Sequence, residues 1–423
     1  MQPEPHRTPL YDWHKSHGAN ILDFRGWAMP LWYPAGAVAE HLAVIQAAGL
    51  FDTSHMSVLT VDGPDSLELL QLCFTRDLKI GLGKRRSPLV PGIAVFGAFL
   101  NEQGHVVDDA VLFHMDADRY AVVVNAGKGG EVKAHLDAHR GELAAQVADL
   151  TGRVGKIDLQ GPKSARILLG ALEDPHRVLD EMDYFSFRGD FDPGSPLADV
   201  FIEGRIPVMV SGTGYSGEFG FELFMAADRL PAVWEKLLAA GADFGLIPCG
   251  LAARDSLRAG AVLPLSGQDI GPWPFINHPW HHALPFDRTA ERFTKKFVGD
   301  VVLEKKGHGE FTYPFVGYDP RKVSIHDPAV VLDENGSEIG VVTTCVADMA
   351  IDWHNDRVYS IASPGKPEHF KPRGLICGFA RVNGPLAVGR IVVLKDNKRS
   401  IRVAITNDVR PDRTATRPMR DML

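Results

Sequence analysis

The feature that most constrains the fold is a block of three apolar runs between residues 94 and 125. The runs read AVFGAFL, HVVDDAVLFHM and YAVVVNA, and the short polar segments NEQG and DADR separate them. Brief polar turns between apolar runs are typical of neighbouring antiparallel strands. We therefore predict a three-stranded antiparallel meander over this block.

Helical periodicity flanks the meander in residues 65–73 and 129–139 and recurs in residues 230–240. Strands and helices alternate without a regular strand-helix-strand order, which favours an α+β fold over a doubly wound parallel sheet. After about residue 301 the helical signal fades, and two strand-like runs meet at Asn335-Gly336, a hairpin signal. We predict an α+β region over residues 1–300, made of two interleaved subdomains, and a C-terminal β domain over residues 301–423. Residues 348–373 lack periodicity and are predicted to form a long excursion from that domain.

The overall composition excludes several classes of protein. The formal net charge of -8 is spread along 423 residues, so no basic block predicts nucleic-acid binding. No apolar run approaches the ~20 residues of a membrane-spanning helix, and the amino terminus lacks the apolar core of a signal peptide. The four cysteines show no CxxC spacing, which argues against a disulfide framework and a zinc knuckle. These observations predict a cytoplasmic protein.

Residues 212–217 read GTGYSG, a literal match to the G-x-G-x-x-G pattern of dinucleotide-binding sites. That pattern requires a helix that opens at the third glycine, so that the helix N-terminus faces the pyrophosphate. Here an alternating, strand-like run follows instead, from Phe219 to Leu223. We therefore predict that these glycines form a tight turn. The hypothesis of an NAD-dependent oxidoreductase has no support in the sequence beyond this motif.

Asp108 and Asp109 lie on the middle strand of the meander. Side chains alternate between the two faces of a strand, so only one of these carboxylates can face a pocket. Both could instead be surface acids close to a turn. A carboxylate in an otherwise apolar strand is costly to bury unless it is paired or functional.

Three other groups of residues offer weaker signals. The histidines of NHPWHH lack helical i, i+4 spacing, and no second cluster of metal ligands accompanies them, so we predict no metal site. Ser54-His55 are neighbours in the chain and seldom face each other as a nucleophile and base would. Arg254 lies in the helical run GLAARDSLRAG. Its side chain either belongs to a solvated helix face or holds its guanidinium in a fixed orientation that binds a carboxylate or a polar ring edge.

Taken in order, the motifs of this chain resemble those of the glycine-cleavage T-protein (aminomethyltransferase) family. The match runs from the amino terminus to about residue 300 and thins after that. It is carried by TPLY, DFRGWAMPLWY, EHLAVIQAAGLFDTSHM, FLNEQGHVVDDAV, VVNAG, LQGP, TGYSGEFGFEL and PCGLAARDSLR.

The resemblance implies a T-protein-like folate-binding fold of antiparallel sheets with flanking helices, plus a C-terminal β-barrel-like domain. It also implies tetrahydrofolate as co-substrate and, as donor, an aminomethyl group on the lipoyl arm of an H-protein. By position, Asp108 matches the essential carboxylate of the family. The matching folate-pocket positions are Met56, Asn125, Tyr215, Glu222 and Arg254. Arg410 aligns too loosely for a prediction.

The sequence departs from the family pattern on the donor side. Phe96 and Ser266 stand where tyrosines are usual, Gly260 and His281 where glutamates are usual, and Phe286 where tryptophan is usual. Relatives with the same fold include tetrahydrofolate-dependent demethylases, and a fold does not fix its donor. We therefore keep a demethylase acting on a methylated small molecule as the alternative. A folate binder without catalysis is disfavoured by the presence of Asp108.

Overall fold

The computed structural model describes residues 4–80, 87–287, 290–304, 309–326 and 329–423. Within these ranges no helix is both long enough and apolar enough to cross a membrane. Two larger sheets, a small N-terminal sheet and a closed barrel form the framework.

The predicted meander is confirmed as part of a five-stranded antiparallel sheet. Two helices, Ser66–Cys73 and Gly129–Arg140, cover one face of this sheet and bury an apolar core that includes Leu69 and Leu136. Both helices coincide with predicted helical runs. In spatial order the strands are Ala94–Leu100, Val106–Asp116, Arg119–Val124, Ser57–Asp62 and Gln146–Asp149.

The second sheet has six strands and contains the run that follows GTGYSG. That run forms Gly220–Ala226, so a strand follows the glycines where a dinucleotide site would need a helix. Helices Ser164–Ala171 and Leu230–Gly241 pack over this sheet, and Trp234 is fully buried among them. The strand order is Phe187–Arg188, Met209–Ser211, Gly220–Ala226, Val154–Gln160, Ala48–Asp52 and Leu246–Pro248.

The N-terminal residues form a three-stranded sheet and two helices. Its strands, in spatial order, are His6–Arg7, Trp27–Trp32 and Asn20–Phe24. The accompanying helices are Tyr11–Ser16 and Ala37–Gln46, and the latter packs against the later helix Leu251–Gly260. The remaining short elements are helices Pro175–Leu179 and Asp300–Leu303 and the strand pairs Phe201–Ile202 with Ile206–Pro207 and Phe286–Asp287 with Arg292–Phe293.

The C-terminal residues form a closed six-stranded barrel, which confirms the prediction of a barrel-like β unit. Around the barrel the strands are Phe311–Gly317, Leu375–Val382, Glu338–Asp348, Val330–Leu332, Ile391–Lys395 and Ser400–Ile405. Asn335 and Gly336 lie in a hairpin connection, and Gly336 takes a φ of 80° there. The connection spans residues 333–337, and the Asp333 amide donates to the Ser337 carbonyl across it.

The excursion predicted over residues 348–373 carries more regular structure than its sequence indicates. It contains the strand pair Ile351–His354 and Arg357–Ser360. Asp348, where the excursion begins, is fully buried. The division of the chain at residues 300 and 301 stays a prediction.

Candidate active site

A cavity of about 1560 Å³ lies where both larger sheets, helix Leu251–Gly260 and the barrel come together. Its wall includes all five binding residues predicted from the sequence: Met56, Asn125, Tyr215, Glu222 and Arg254. These residues come from different sheets and loops, so only the folded chain brings them together.

The two adjacent aspartates occupy different positions relative to this cavity. Asp109 lines the wall, whereas Asp108 is fully buried behind it. The Asn125 amide N–H donates to Asp108 Oδ2 at 2.7 Å, and the Ser266 hydroxyl donates to Asp108 Oδ1 at 2.7 Å. The Asn125 side-chain amide reaches Oδ1 of both carboxyl groups, at 3.0 Å for Asp108 and 2.8 Å for Asp109. Family position favours Asp108 as the essential carboxylate. In the structure, strand alternation directs Asp109 to the cavity wall and leaves Asp108 directly behind it.

Burial and mutual repulsion perturb the protonation of this pair. Burial, followed by the neighbouring charge of Asp108, raises the pKa of Asp109 to about 7. Burial also raises the pKa of Asp108, against the hydrogen bonds from Ser266 and Asn125. A carboxyl group that titrates close to neutral pH can accept or donate a proton during a reaction.

Glu222 belongs to a buried network of charges at the cavity wall. Lys156 Nζ donates to Glu222 Oε1 and also to Asp158 Oδ1. The Thr213 hydroxyl donates to Glu222 Oε2 at 2.6 Å. A carboxylate accepts about four hydrogen bonds, so Glu222 keeps free lone pairs toward the cavity.

Arg254 is anchored by the same network. Its Nη1 donates to Asp158 Oδ2 at 2.6 Å. Burial acts to raise the pKa of Asp158, but the charges of Lys156 and Arg254 outweigh it and hold that pKa well below its usual range. The guanidinium carbon of Arg254 lies 5.1 Å from the centre of the Tyr215 ring. The remaining donors of Arg254 are thus held in a fixed place beside an aromatic wall.

The GTGYSG segment is a turn that packs on Gln160. A Cβ atom added at Gly214 would lie 2.1 Å from Gln160 Oε1 and would displace that side chain, and Gly217 has a φ of 77°, in the left-handed region that favours glycine. The Tyr215 hydroxyl donates to the Pro264 carbonyl at 2.6 Å, and burial raises the pKa of this hydroxyl. Tyr215 therefore offers its ring, rather than a free hydroxyl, to the cavity.

Several residues of the site were missed in the sequence. Lys156 and Asp158 lie two positions apart in the apolar strand VGKIDLQ, and that charged alternation was the available signal. His55 also lines the cavity, and burial lowers its pKa to about 4. Its neighbour Ser54 donates to the Lys156 carbonyl rather than to the imidazole, so the pair does not form a nucleophile and base.

Two of the positions that depart from the family pattern, Phe96 and Gly260, lie close to other side chains. Phe96 and Trp280 both line the cavity and meet edge to face, with ring centres 4.1 Å apart. At Gly260 an added Cβ would lie 2.0 Å from Asp348 Oδ2. Asp348 accepts from Arg410 Nη1 at 2.6 Å and contacts His41 Nε2 at 2.9 Å. A carboxylate from the barrel excursion thus occupies the space beside Gly260.

Arg410 is fully buried, and its donors serve Asp348, Glu218 and the Ser216 carbonyl. It is absent from the cavity wall that the described residues form. Within the same described ranges, the histidines of NHPWHH belong to no group of three ligands close enough to share a metal ion; such a group exists elsewhere, at Cys73, His135 and His139.

Comparisons with known proteins agree with this fold. The family model described as the GCVT N-terminal domain matches residues 10–273. The aminomethyltransferase of Symbiobacterium thermophilum is 38% identical over 341 residues, which cover 80% of this chain and 84% of that protein. The aminomethyltransferase of Bacillus subtilis is 34% identical over 339 residues, covering 80% and 86%. The solved structure of glycine cleavage system aminomethyltransferase T from Bartonella henselae aligns with a TM-score of 0.73 at 27% identity, over 95% of this chain and 96% of that chain.

Proposed function

Because the chain belongs to the GCVT N-terminal domain family, we propose that it is a tetrahydrofolate-dependent aminomethyltransferase that accepts the aminomethyl group from the lipoyl arm of an H-protein. The observation that carries this proposal is the cavity wall, where the carboxyl group of Asp109 and the carboxylate of Glu222 both face one enclosed space. The relatives named aminomethyltransferase support the same reaction.

The polar groups of the wall suit a reduced pterin ring. Glu222 can accept from the N–H donors of the ring with the lone pairs that Lys156 and Thr213 leave free. Arg254, fixed by Asp158, can donate to ring acceptors. Met56 and the ring of Tyr215 supply apolar surface beside these groups. The wall thus combines apolar surface with a few oriented polar groups, as small-molecule sites do.

Tetrahydrofolate supplies the two acceptor nitrogens, N5 and N10. The transferred carbon loses its bonds to the amine nitrogen and to the lipoyl sulfur and forms bonds to N5 and N10. The protons of N5 and N10 leave with the two products, ammonia and the lipoyl thiol. We assign to Asp109 the acceptance of a proton at this centre and the stabilisation of developing positive charge. Asp108 acts behind it, since Asn125 bridges the two carboxyl groups. Asp108 is therefore a positioning residue in this proposal.

A tetrahydrofolate-dependent demethylase is the second candidate, and one observation favours it. Phe96 and Trp280 form an aromatic corner of the cavity where tyrosine is usual at the first position. Such a corner offers no tyrosine hydroxyl at position 96 and presents apolar aromatic surface to a methyl donor. The two candidates share the folate site and differ in the donor.

A single-turnover assay with tetrahydrofolate separates them. The protein is offered aminomethyl-lipoyl H-protein in one series and methylated sulfur, oxygen and nitrogen compounds in another. Methylenetetrahydrofolate from the H-protein is the expected product. Methyltetrahydrofolate from a small molecule would instead support the demethylase, and no product from either series would contradict both.

The folate site is tested separately by binding. Replacing Glu222 with glutamine removes the charge that accepts from the pterin, so we expect tetrahydrofolate to bind about 10- to 100-fold more weakly, from the ~1.5–3 kcal/mol of a charged hydrogen bond. The control is Glu203→Gln, an exposed carboxylate outside the cavity wall. Equal affinity in both variants and the wild type would contradict the assignment of Glu222.

A further inference from the structure

A separate cluster of metal-ligating side chains lies where helix Ser66–Cys73 packs on helix Gly129–Arg140. Cys73 ends the first helix, and His135 and His139 lie one turn apart on the second. One ligand atom from each of the three residues lies within 4.8 Å of the other two. None of the three lines the cavity. We propose that this cluster binds a divalent transition-metal ion, with Zn²⁺ as the best match.

The helical spacing accounts for the convergence of the two imidazoles. Residues four apart on a helix share one face, and this face of Gly129–Arg140 also buries Val132 and Leu136 against the sheet. Zn²⁺ bonds of about 2.0–2.3 Å place tetrahedral ligands roughly 3.5 Å apart. The three ligand atoms need to approach by only roughly 1 Å, which side-chain rotation can supply.

The hydrogen bonds around the histidines leave the required nitrogen atoms available. His139 Nδ1–H donates to the His135 carbonyl at 2.8 Å, so Nε2 is the nitrogen free to bind a metal. A backbone carbonyl that accepts from the other ring nitrogen is the usual support of a metal-bound imidazole. His135 Nε2 is buried and finds no hydrogen-bond partner among the described residues. A bound ion would satisfy this atom, since a buried polar atom without a partner is unfavourable.

The ligand set decides the kind of ion. One thiolate and two imidazoles favour Zn²⁺ over hard, oxygen-seeking ions such as Mg²⁺ or Ca²⁺. Glu102 Oε1 lies 3.6 Å from His139 Nε2 and brings a negative charge to the solvent side of the cluster. A water molecule or this carboxylate would complete four ligands.

The expected role is structural, because the ion would link the end of one helix to the middle of the other. Helix Gly129–Arg140 also contacts strand Val106–Asp116, which carries Asp108 and Asp109. The ion would therefore stiffen the support behind that strand without touching substrate. The proposal is independent of which one-carbon donor the protein uses.

The test uses the full-length protein after removal of metals with a chelator. Zinc affinity and stoichiometry are measured by competition with a chromophoric chelator, and Co²⁺ is added in place of zinc to detect sulfur-to-metal charge transfer. The variants are His139→Asn, whose side chain is partly exposed, and Cys73→Ala. The matched control is His176→Asn, an exposed histidine on helix Pro175–Leu179.

We expect one zinc ion per chain in the wild type and the control, and about 100-fold weaker binding or more in each ligand variant, because loss of a supporting contact alone costs 10–100-fold. Zinc should raise the Tm of the wild type and leave that of His139→Asn unchanged. The cobalt charge-transfer band should be missing in Cys73→Ala. No stoichiometric zinc in the wild type, or unchanged affinity in His139→Asn, would overturn the proposal, and the latter result does not depend on the folding of the buried Cys73 variant.

Discussion

Replacing Ser266 with alanine tests the link between the buried Asp108 and the cavity-facing Asp109. The Ser266 hydroxyl donates to Asp108 at 2.7 Å, and its hydrogen bonding lowers the pKa values of both carboxyl groups, which burial raises. A hydrogen bond to a charged group contributes about 1.5–3 kcal/mol, and one pKa unit corresponds to about 1.4 kcal/mol. The apparent pKa of the pair should therefore rise by about 1–2 units.

This shift has a definite effect on rate. With a pKa of about 7, the Asp109 carboxyl group is about half ionised at pH 7 in the wild type. Raising that pKa by about 1–2 units lowers the ionised fraction, and with it the single-turnover rate at pH 7, by about 5- to 50-fold. Above the new pKa the wild-type rate should return, because the carboxylate is ionised again.

The assay is the single-turnover rate with tetrahydrofolate and the active donor, followed as a function of pH. The control is Ser195→Ala, which removes a hydroxyl that is absent from the cavity wall. We expect the acidic limb of the profile to move to higher pH in Ser266→Ala and to stay in place in the control. A rate that falls equally at every pH, with the acidic limb unmoved, would contradict the proposed link between Asp108 and Asp109.

Three further substitutions test other parts of the account. Lys156→Met removes the ammonium group that pairs with Asp158 in the buried network. Urea denaturation should show a free energy of unfolding lower by about 3–5 kcal/mol, and a decrease below about 1 kcal/mol would contradict the role given to this ion pair. Asp109→Asn should stabilise the protein by up to about 4 kcal/mol at pH 8 and by little at pH 4. The pKa of Asp109 is raised from 3.8 to about 7 in the folded protein, so the wild type loses stability as the pH rises between these two values, and asparagine does not. Thermal melts at both pH values check this, and equal Tm changes at both would count against it. Gly260→Ala places a methyl group 2.0 Å from Asp348 Oδ2, so it should lower the free energy of unfolding by about 1–3 kcal/mol in the wild type and by less in an Asp348→Ala background, where the carboxylate is gone. An unchanged Tm in the single variant would show that the space is not filled.

Local patterns in the sequence predicted most of the framework. The meander of residues 94–125 could be predicted because its turns join strands that are neighbours both in sequence and in space. The strand Gly220–Ala226 could be predicted from alternation, which also excluded a dinucleotide site at the preceding glycines. Family position suggested Glu222 and Arg254 for one pocket, and both side chains line the same cavity wall.

The features that depend on contacts between residues far apart in the sequence could not be predicted. Period two indicates that one of Asp108 and Asp109 faces a pocket, but the side on which the cavity lies is decided by how the sheets assemble. The pairing of Lys156 with Glu222 depends on the register between two strands far apart in sequence. Asp348 reaches Gly260 only because the barrel folds back on helix Leu251–Gly260.

We propose that Asp109 is the carboxyl group that works at the transfer centre. Its most direct test is the single-turnover rate at saturating tetrahydrofolate for Asp109→Asn and Asp108→Asn, with tetrahydrofolate affinity measured in parallel. We predict that Asp109→Asn loses about 100-fold or more in rate and keeps its tetrahydrofolate affinity within about 10-fold, whereas Asp108→Asn loses less because Asp109 remains ionisable. A wild-type rate in Asp109→Asn, together with loss of activity in Asp108→Asn, would show that Asp108 and not Asp109 is the working carboxyl group.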